Sequence, residues 1–214
     1  MKAINLTTVI IITAILATAC SKDSNTSPGS SPDYTPMKVG NYWVYQRFDI
    51  DSAGNATSTS AYDSVYIEKD TLTGNGTYYK KVAPNPFGSD PEVTYLKDSL
   101  TYLVDIKGNI LFSSSDFTTV FSESIIPGPN NDTIAYITRK MEDKNVNVVT
   151  PAGTFITSDS RVTYFMGDGW TFAGSPRLRY HRYAPNIGLV IQTLPFYVSM
   201  PTYVERRIVR YKVN

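Results

Sequence analysis

From Pro36 onward the chain is written in short runs of alternating apolar and polar side chains, each closed by Gly, Pro, Asn, Asp or Ser. A period of two describes a half-buried strand, whereas a helix needs a period of about 3.6, which no stretch here shows. In Asn41 to Asp51, Tyr42, Val44, Gln46 and Phe48 fall on one face and Trp43, Tyr45, Arg47 and Asp49 on the other. Further runs are Thr57 to Thr71, Tyr78 to Ala83, Val93 to Lys97, Thr101 to Ile106, Ile110 to Ser113, Phe117 to Ile126 and Thr133 to Glu142. Val146 to Thr150, Phe155 to Phe165, Trp170 to Ala173, Arg177 to Tyr183, Leu189 to Phe196 and Tyr203 to Val213 complete the series. Asp51-Ser52-Ala53-Gly54-Asn55 and Lys107-Gly108-Asn109 are turn signals between runs. Sixteen Tyr, nine Phe and two Trp, with many Thr and Val, favour the same state. The expected fold is all-β: a single antiparallel domain of roughly a dozen strands, strongly curved or closed into a half-open barrel, with a β-sandwich as the alternative. Large side chains on both faces of Tyr42-Trp43-Val44-Tyr45 imply a sheet buried on both sides for part of its length, or one curled around an interior.

Ahead of this domain stands a different kind of segment. Met1-Lys2 gives a positive start, Val9 to Ala19 an apolar run, and Ala17-Thr18-Ala19-Cys20 a small-residue cleavage site ending in a thiol. The run is too short for a bilayer span of ~20 residues and reads as a secretory signal. It resembles a bacterial lipoprotein signal, in which Cys20 becomes the acylated first residue. Residues 1–19 are therefore read as signal peptide, 20–35 as lipidated N-terminus and flexible tether, and 36–214 as the β domain. The tether holds five Ser, two Pro and a Gly between residues 21 and 35, too little apolar surface to order itself, and reaches on the order of 20 Å. Ser21-Lys22-Asp23 is similar to signals for outer-membrane sorting, on the periplasmic face or the cell surface. The implied partner is the membrane, through the acyl anchor.

Charge and cysteine content remove several functions. Without the signal, nineteen basic side chains face nineteen acidic ones, so nothing steers a nucleic acid. Cys20 is the single cysteine and His181 the single histidine, too few for a nitrogen or sulfur metal site or an internal disulfide. Asp49 to Gly54 opens like a calcium loop but has Ala53 and Ser60 where oxygen ligands belong, so it reads as a hairpin turn. No Gly-x-Ser-x-Gly elbow accompanies His181, and no carboxylate pair stands out among five Glu and fourteen Asp. No catalytic residue, cofactor or metal is expected.

Three segments carry a resemblance. Pro36-Met37-Lys38-Val39-Gly40-Asn41-Tyr42-Trp43-Val44-Tyr45, Val149-Thr150-Pro151-Ala152-Gly153-Thr154-Phe155 and Tyr183-Ala184-Pro185-Asn186-Ile187-Gly188-Leu189-Val190 resemble the Pro-Leu-x-x-Gly-x-x-Trp-x-Tyr, Pro-Ala-Gly-Thr-Phe and Tyr-Ala-Pro-x-x-Gly-Leu-Val motifs of a group of Gram-negative outer-membrane lipoproteins. Met37 replaces the usual leucine, a volume-conserving change. The resemblance implies a curved antiparallel sheet like the half-open barrels of periplasmic lipid and lipoprotein carriers, and supplies no catalytic residues. The motif Gly and Pro residues also have a plain structural reading, as strand entries and strand ends.

The remaining candidates are surface features. Phe87 lies in the proline-rich loop Pro84 to Gly88, and Trp170 and Phe172 follow the turn Met166-Gly167-Asp168-Gly169; all three are ligand-binding candidates, or else core anchors. From Arg177 to Lys212 there are six Arg and one Lys against Glu205, and Arg206, Arg210 and Lys212 are expected to share a face with Val204 and Ile208. That face would meet anionic lipid, or its arginines pair with carboxylates of neighbouring strands. Five Asp-Ser/Thr-apolar triplets resemble the acceptor of a periplasmic O-glycosylation system of some Gram-negative bacteria, which implies Ser52, Ser64, Thr71, Ser99 and Thr133 as O-glycosylation candidates, although Asp-Ser is also ordinary turn chemistry. The functional expectation is a non-enzymatic envelope protein that binds or carries an apolar or amphiphilic ligand, with a structural or interaction subunit of an envelope assembly as the alternative.

Overall fold

The computed structural model describes residues 32–129 and 131–214; Cys20, the segment read as a signal peptide and most of the segment read as a tether lie outside them. Fourteen strands follow in order: β1 (Tyr42–Ile50), β2 (Ala56–Thr73), β3 (Gly76–Ala83), β4 (Glu92–Ser99), β5 (Tyr102–Asp105), β6 (Ile110–Ser113) and β7 (Val120–Pro127). The second half comprises β8 (Thr133–Met141), β9 (Val146–Thr150), β10 (Gly153–Met166), β11 (Arg177–Arg179), β12 (His181–Ala184), β13 (Gly188–Thr193) and β14 (Tyr203–Lys212). They form one antiparallel sheet curled into a nearly closed barrel, in the order β6-β5-β4-β3-β2-β1-β14-β13-β12-β10-β8-β7. β9 and β11 pair with β10 off that path.

Where the sheet fails to close by its own ladder, side chains bridge the gap. Ser160 on β10 donates its hydroxyl to the Leu111 carbonyl of β6 at 2.5 Å, and Arg139 on β8 donates to the same oxygen at 3.4 Å. The Ser113 amide of β6 in turn reaches the Met141 sulfur at 3.3 Å. An edge strand with open donors and acceptors invites pairing with another chain, and these bonds cap β6 against it.

Turn chemistry places the strands. Asp51 and Asp105 open the same five-residue turn, Asp-x-x-Gly-Asn, in which the carboxylate accepts from the Asn amide four residues on (2.8 and 2.9 Å) and from the Asn side chain (2.9 and 2.8 Å). Gly54 and Gly108 supply the positive φ, 84° and 85°. The hairpin reading of Asp49 to Gly54 therefore holds.

Two clusters fill the interior. One joins Trp43, Tyr45, Val65, Ile67, Ala184, Val190 and Ile208; the other joins Leu96, Leu103, Phe112, Met141 and Tyr183. The three motif segments meet in the first: Trp43 donates from Nε1 to the Ile187 carbonyl at 2.6 Å, and the Tyr45 hydroxyl donates to the Leu189 carbonyl at 2.7 Å. Gly188, at φ 95°, lies against Trp43 and Pro36, so a side chain there would be both strained and in contact with them. Tyr42, Tyr62 and Tyr66 are exposed on the outer face, so the double-faced aromatics of β1 reflect curling around an interior.

Four expectations change. Trp170 to Ala173 is a 3-10 turn (Asp168–Ala173) and not a strand, because glycines on either side let Trp170 N bond back to Gly167 O at 2.8 Å and Gly174 N to Thr171 O at 2.9 Å. Arg177 to Tyr183 divides into β11 and β12 at Tyr180. Tyr34 and Thr35, placed in the tether by composition, pack on the barrel: Thr35 is buried and the Tyr34 ring lies 5.4 Å from Phe112. Finally, Val44 faces Arg210 while Tyr45 faces Ile208, leaving Val209 as a bulge. That extra residue turns Arg206 and Ile208 inward and leaves Arg210 and Lys212 exposed, so the three cations do not share a face.

Candidate functional site

Among the described residues, two buried clusters occupy the barrel interior. Its internal cavity, about 40 Å³, lies beneath the strap Thr35-Pro36-Met37 and is walled by Trp43, Val65, Leu96, Leu103 and Leu189. Period two along β2 carries Asp63 inward with Val65 and Ile67, and along β3 it carries Lys81 inward with Ala83. Lys81 and Arg206 thus line an otherwise apolar space, with the phenols of Tyr45 and Tyr183. Arg206, 4% exposed, donates from Nε to Gln192 Oε1 at 2.9 Å, and its guanidinium sits 5.3 Å from the Tyr45 ring centre. Burial pushes the Lys81 ammonium down to about 8, helped by the field of Arg206, and pushes the Tyr183 phenol up to about 12.

A larger concavity, about 470 Å³, opens at the rim where β1 turns toward β2 and the β13–β14 connection crosses. Ile50, Phe87, Phe196, Tyr197, Met200 and Tyr203 line it. Phe87, Tyr197 and Met200 are 59%, 66% and 51% exposed, with the first two rings 5.7 Å apart. The loop that presents Tyr197 is held by Arg177, a buried side chain that stacks on Phe196 at 4.0 Å and donates from Nη1 to the Tyr197 and Val198 carbonyls at 3.1 Å each. Asp49, Asp51, Asn55 and Thr57 supply polar groups along one margin. The Asp51 carboxyl is held below the usual carboxylate range by the Asn55 side chain and amide. An apolar floor with a few polar groups at its edge suits an amphiphile.

The other sequence candidates are dispersed. Trp170 is half-buried and donates from Nε1 to Asp132 at 3.1 Å; Phe172 is 67% exposed and 6.2 Å from it; neither lines the Phe87 cleft. Arg210 and Lys212 pair across from Val44 and Tyr42 on the outer wall. Arg206 is inside, bonded to Gln192 and 3.7 Å from Asp63, so it does not belong to an outward face with Arg210 and Lys212. Ser52, Ser64, Thr71 and Thr133 are exposed and Ser99 is half-buried. In three of these triplets the aspartate serves the fold, since Asp51 builds its turn, Asp63 binds Arg47 and Asp132 accepts from Trp170.

Sequence reasoning missed Lys81, Tyr197 and Met200. Lys81 was hidden because apolar residues occupy both faces of Tyr78 to Ala83, so alternation alone did not choose a side. For the cleft a signal existed: Pro195 and Pro201 bracket Phe196-Tyr197-Val198-Ser199-Met200, an aromatic loop between two strand breakers.

The fold is similar to that of a protein of Parabacteroides distasonis described as a lipoprotein, at 15% identity over 86% of this chain and 100% of that one, with a TM-score of 0.49. It is similar also to an exported protein of Bacteroides fragilis with a YmcC-like fold, at 14% identity over 85% of this chain and 100% of that one, with a TM-score of 0.46. No family model and no curated protein matches the chain.

Proposed function

We propose that this is a lipid-anchored, non-enzymatic protein of the outer membrane that binds an apolar or amphiphilic ligand at the rim cleft. The anchor is Cys20, and the Ser21-Lys22-Asp23 segment supports the outer-membrane destination. The observation that carries the binding reading is the cleft itself: three large apolar side chains, Phe87, Tyr197 and Met200, are kept more than half exposed around one concavity. Exposed apolar surface of that kind is costly to solubility and marks a contact site. The 40 Å³ cavity, by contrast, is too small for an acyl chain, which supports the rim over the lumen as the place of binding.

A second reading, a structural or interaction subunit of an envelope assembly, draws support from the small size of that same cavity. Native mass spectrometry of protein purified from its own membrane separates the two. Binding at the cleft gives a retained small molecule on the wild type that Phe87→Ala with Tyr197→Ala loses; the subunit reading gives no such adduct on either protein.

A further inference from the structure

The internal cavity carries a charge problem that the fold does not solve by itself. Arg206 Nη1 is buried with no hydrogen-bond acceptor. Its nearest carboxylate, Asp63, stands 3.7 Å away and is already engaged by both Arg47 Nε (2.9 Å) and Nη2 (2.7 Å). Lys81, on the same cavity wall, has no protein hydrogen bond or ion pair among the described residues. Directly across the β3–β4 ladder from Lys81 sits Thr94, whose hydroxyl is also buried without a partner. Glu92, the acidic group whose field reaches both Lys81 and Arg206, is exposed on β4. Two inward cations therefore stand around a space walled by Met37, Trp43, Leu96, Leu103 and Leu189.

Burying charge is expensive unless an opposite charge answers it, and a water molecule satisfies a donor without neutralising it. We propose that this cavity is a binding site for a small carboxylate with a short apolar tail, its carboxylate between Lys81 Nζ and Arg206 Nη1 and its tail against the apolar walls. The volume fits that class: 40 Å³ accommodates about three waters or a carboxylate of two or three carbons, not a long chain. The depressed ammonium of Lys81 is in keeping with a site whose counter-charge comes from outside the chain. Access runs beneath the strap, which is tied down by the bond from Asn41 Nδ2 to the Pro36 carbonyl at 3.0 Å and by Asp33 N to Asn186 Oδ1 at 3.1 Å. The site is separate from the rim cleft and does not depend on it.

The test is thermal unfolding of the full chain in nonionic detergent, with sodium propionate compared with sodium chloride at equal ionic strength. Propionate raises the wild-type melting temperature by roughly 5–10 °C at ~100 Kd, and Lys81→Met abolishes the rise while remaining folded, since a methionine suits the apolar wall. Arg206→Met, if it folds, abolishes it too. Decanoate in place of propionate tests the size limit: a smaller shift supports a site for a short acid, and an equal or larger one overturns the short-tail assignment. No wild-type rise with either acid, or the same rise in Lys81→Met, overturns the proposal.

Discussion

Asp63 receives Arg47 through two parallel hydrogen bonds, 2.9 Å from Nε and 2.7 Å from Nη2, across the β1–β2 ladder. The carboxylate is 2% exposed, and Arg206 approaches its other side at 3.7 Å. It is the acidic member of an inward cluster whose other charges are positive. Removing one member of a buried charge set costs more than the set contributes, because the rest are left unanswered. Asp63→Asn should therefore lower stability by about 3–5 kcal/mol in urea unfolding. Arg210→Ala, on the outer wall, should change it by less than about 0.5 kcal/mol.

Trp43 joins the opening and closing motifs of the domain. It is 5% exposed, bonds the Ile187 carbonyl and lies against Gly188. Trp43→Ala should cost about 3–5 kcal/mol, a large share of a typical 5–15 kcal/mol, and should show as a lower melting temperature. An unchanged melting temperature would remove Trp43 from the core.

Strand positions were readable wherever turn chemistry was explicit. Ile110 to Ser113 follows Lys107-Gly108-Asn109 and emerges with the expected ends, and Thr133 to Glu142 differs by one residue. The misplaced features have physical causes that single-residue pattern does not carry. Trp170 and Phe172 lie between glycines that permit a tight turn, and period two cannot be judged over four residues. The bulge at Val209 inverts the faces of Arg210 and Lys212 without any Gly or Pro to announce it. The strap at Tyr34 to Met37 is ordered by contacts with Phe112 and both core clusters, a tertiary effect invisible in a Ser- and Pro-rich composition. Phe87 was recognised as a candidate, but its partner Tyr197 sits more than a hundred residues away and meets it only in the fold.

His181 makes stability depend on pH. Burial first, then the fields of Arg139 and Arg179, hold its imidazole neutral to well below the ordinary 6.5. Its Nδ1 faces the Ser160 carbonyl at 3.1 Å, so that nitrogen carries the proton, and its amide donates to Asp159 Oδ1. Below about pH 6.5 the unfolded chain binds a proton that the folded chain refuses, so stability falls as pH falls, by up to ~1.4 kcal/mol per pH unit. Urea midpoints at about pH 7.5 and pH 5.5 should separate in the wild type and lie closer together in His181→Gln.

Anchoring is tested by fractionation. Each buried methylene of an acyl chain contributes ~0.8 kcal/mol to membrane attachment, and under the proposed anchoring a chain without Cys20 loses all of it. Cys20→Ala should move the protein into the soluble fraction after a high-salt wash; retention with membranes would contradict the lipoprotein reading.

Methionine methyl resonances distinguish the rim from the lumen within one sample. Met200 lines the open cleft, Met37 lines the internal cavity, and Met141 and Met166 are buried elsewhere in the barrel. The methyl-labelled full chain, held in nonionic detergent and titrated with lysophosphatidylcholine, should shift Met200 while leaving Met37, Met141 and Met166 in place. Movement of Met37 with Met200 unchanged would put the amphiphile inside the barrel and contradict binding at the rim.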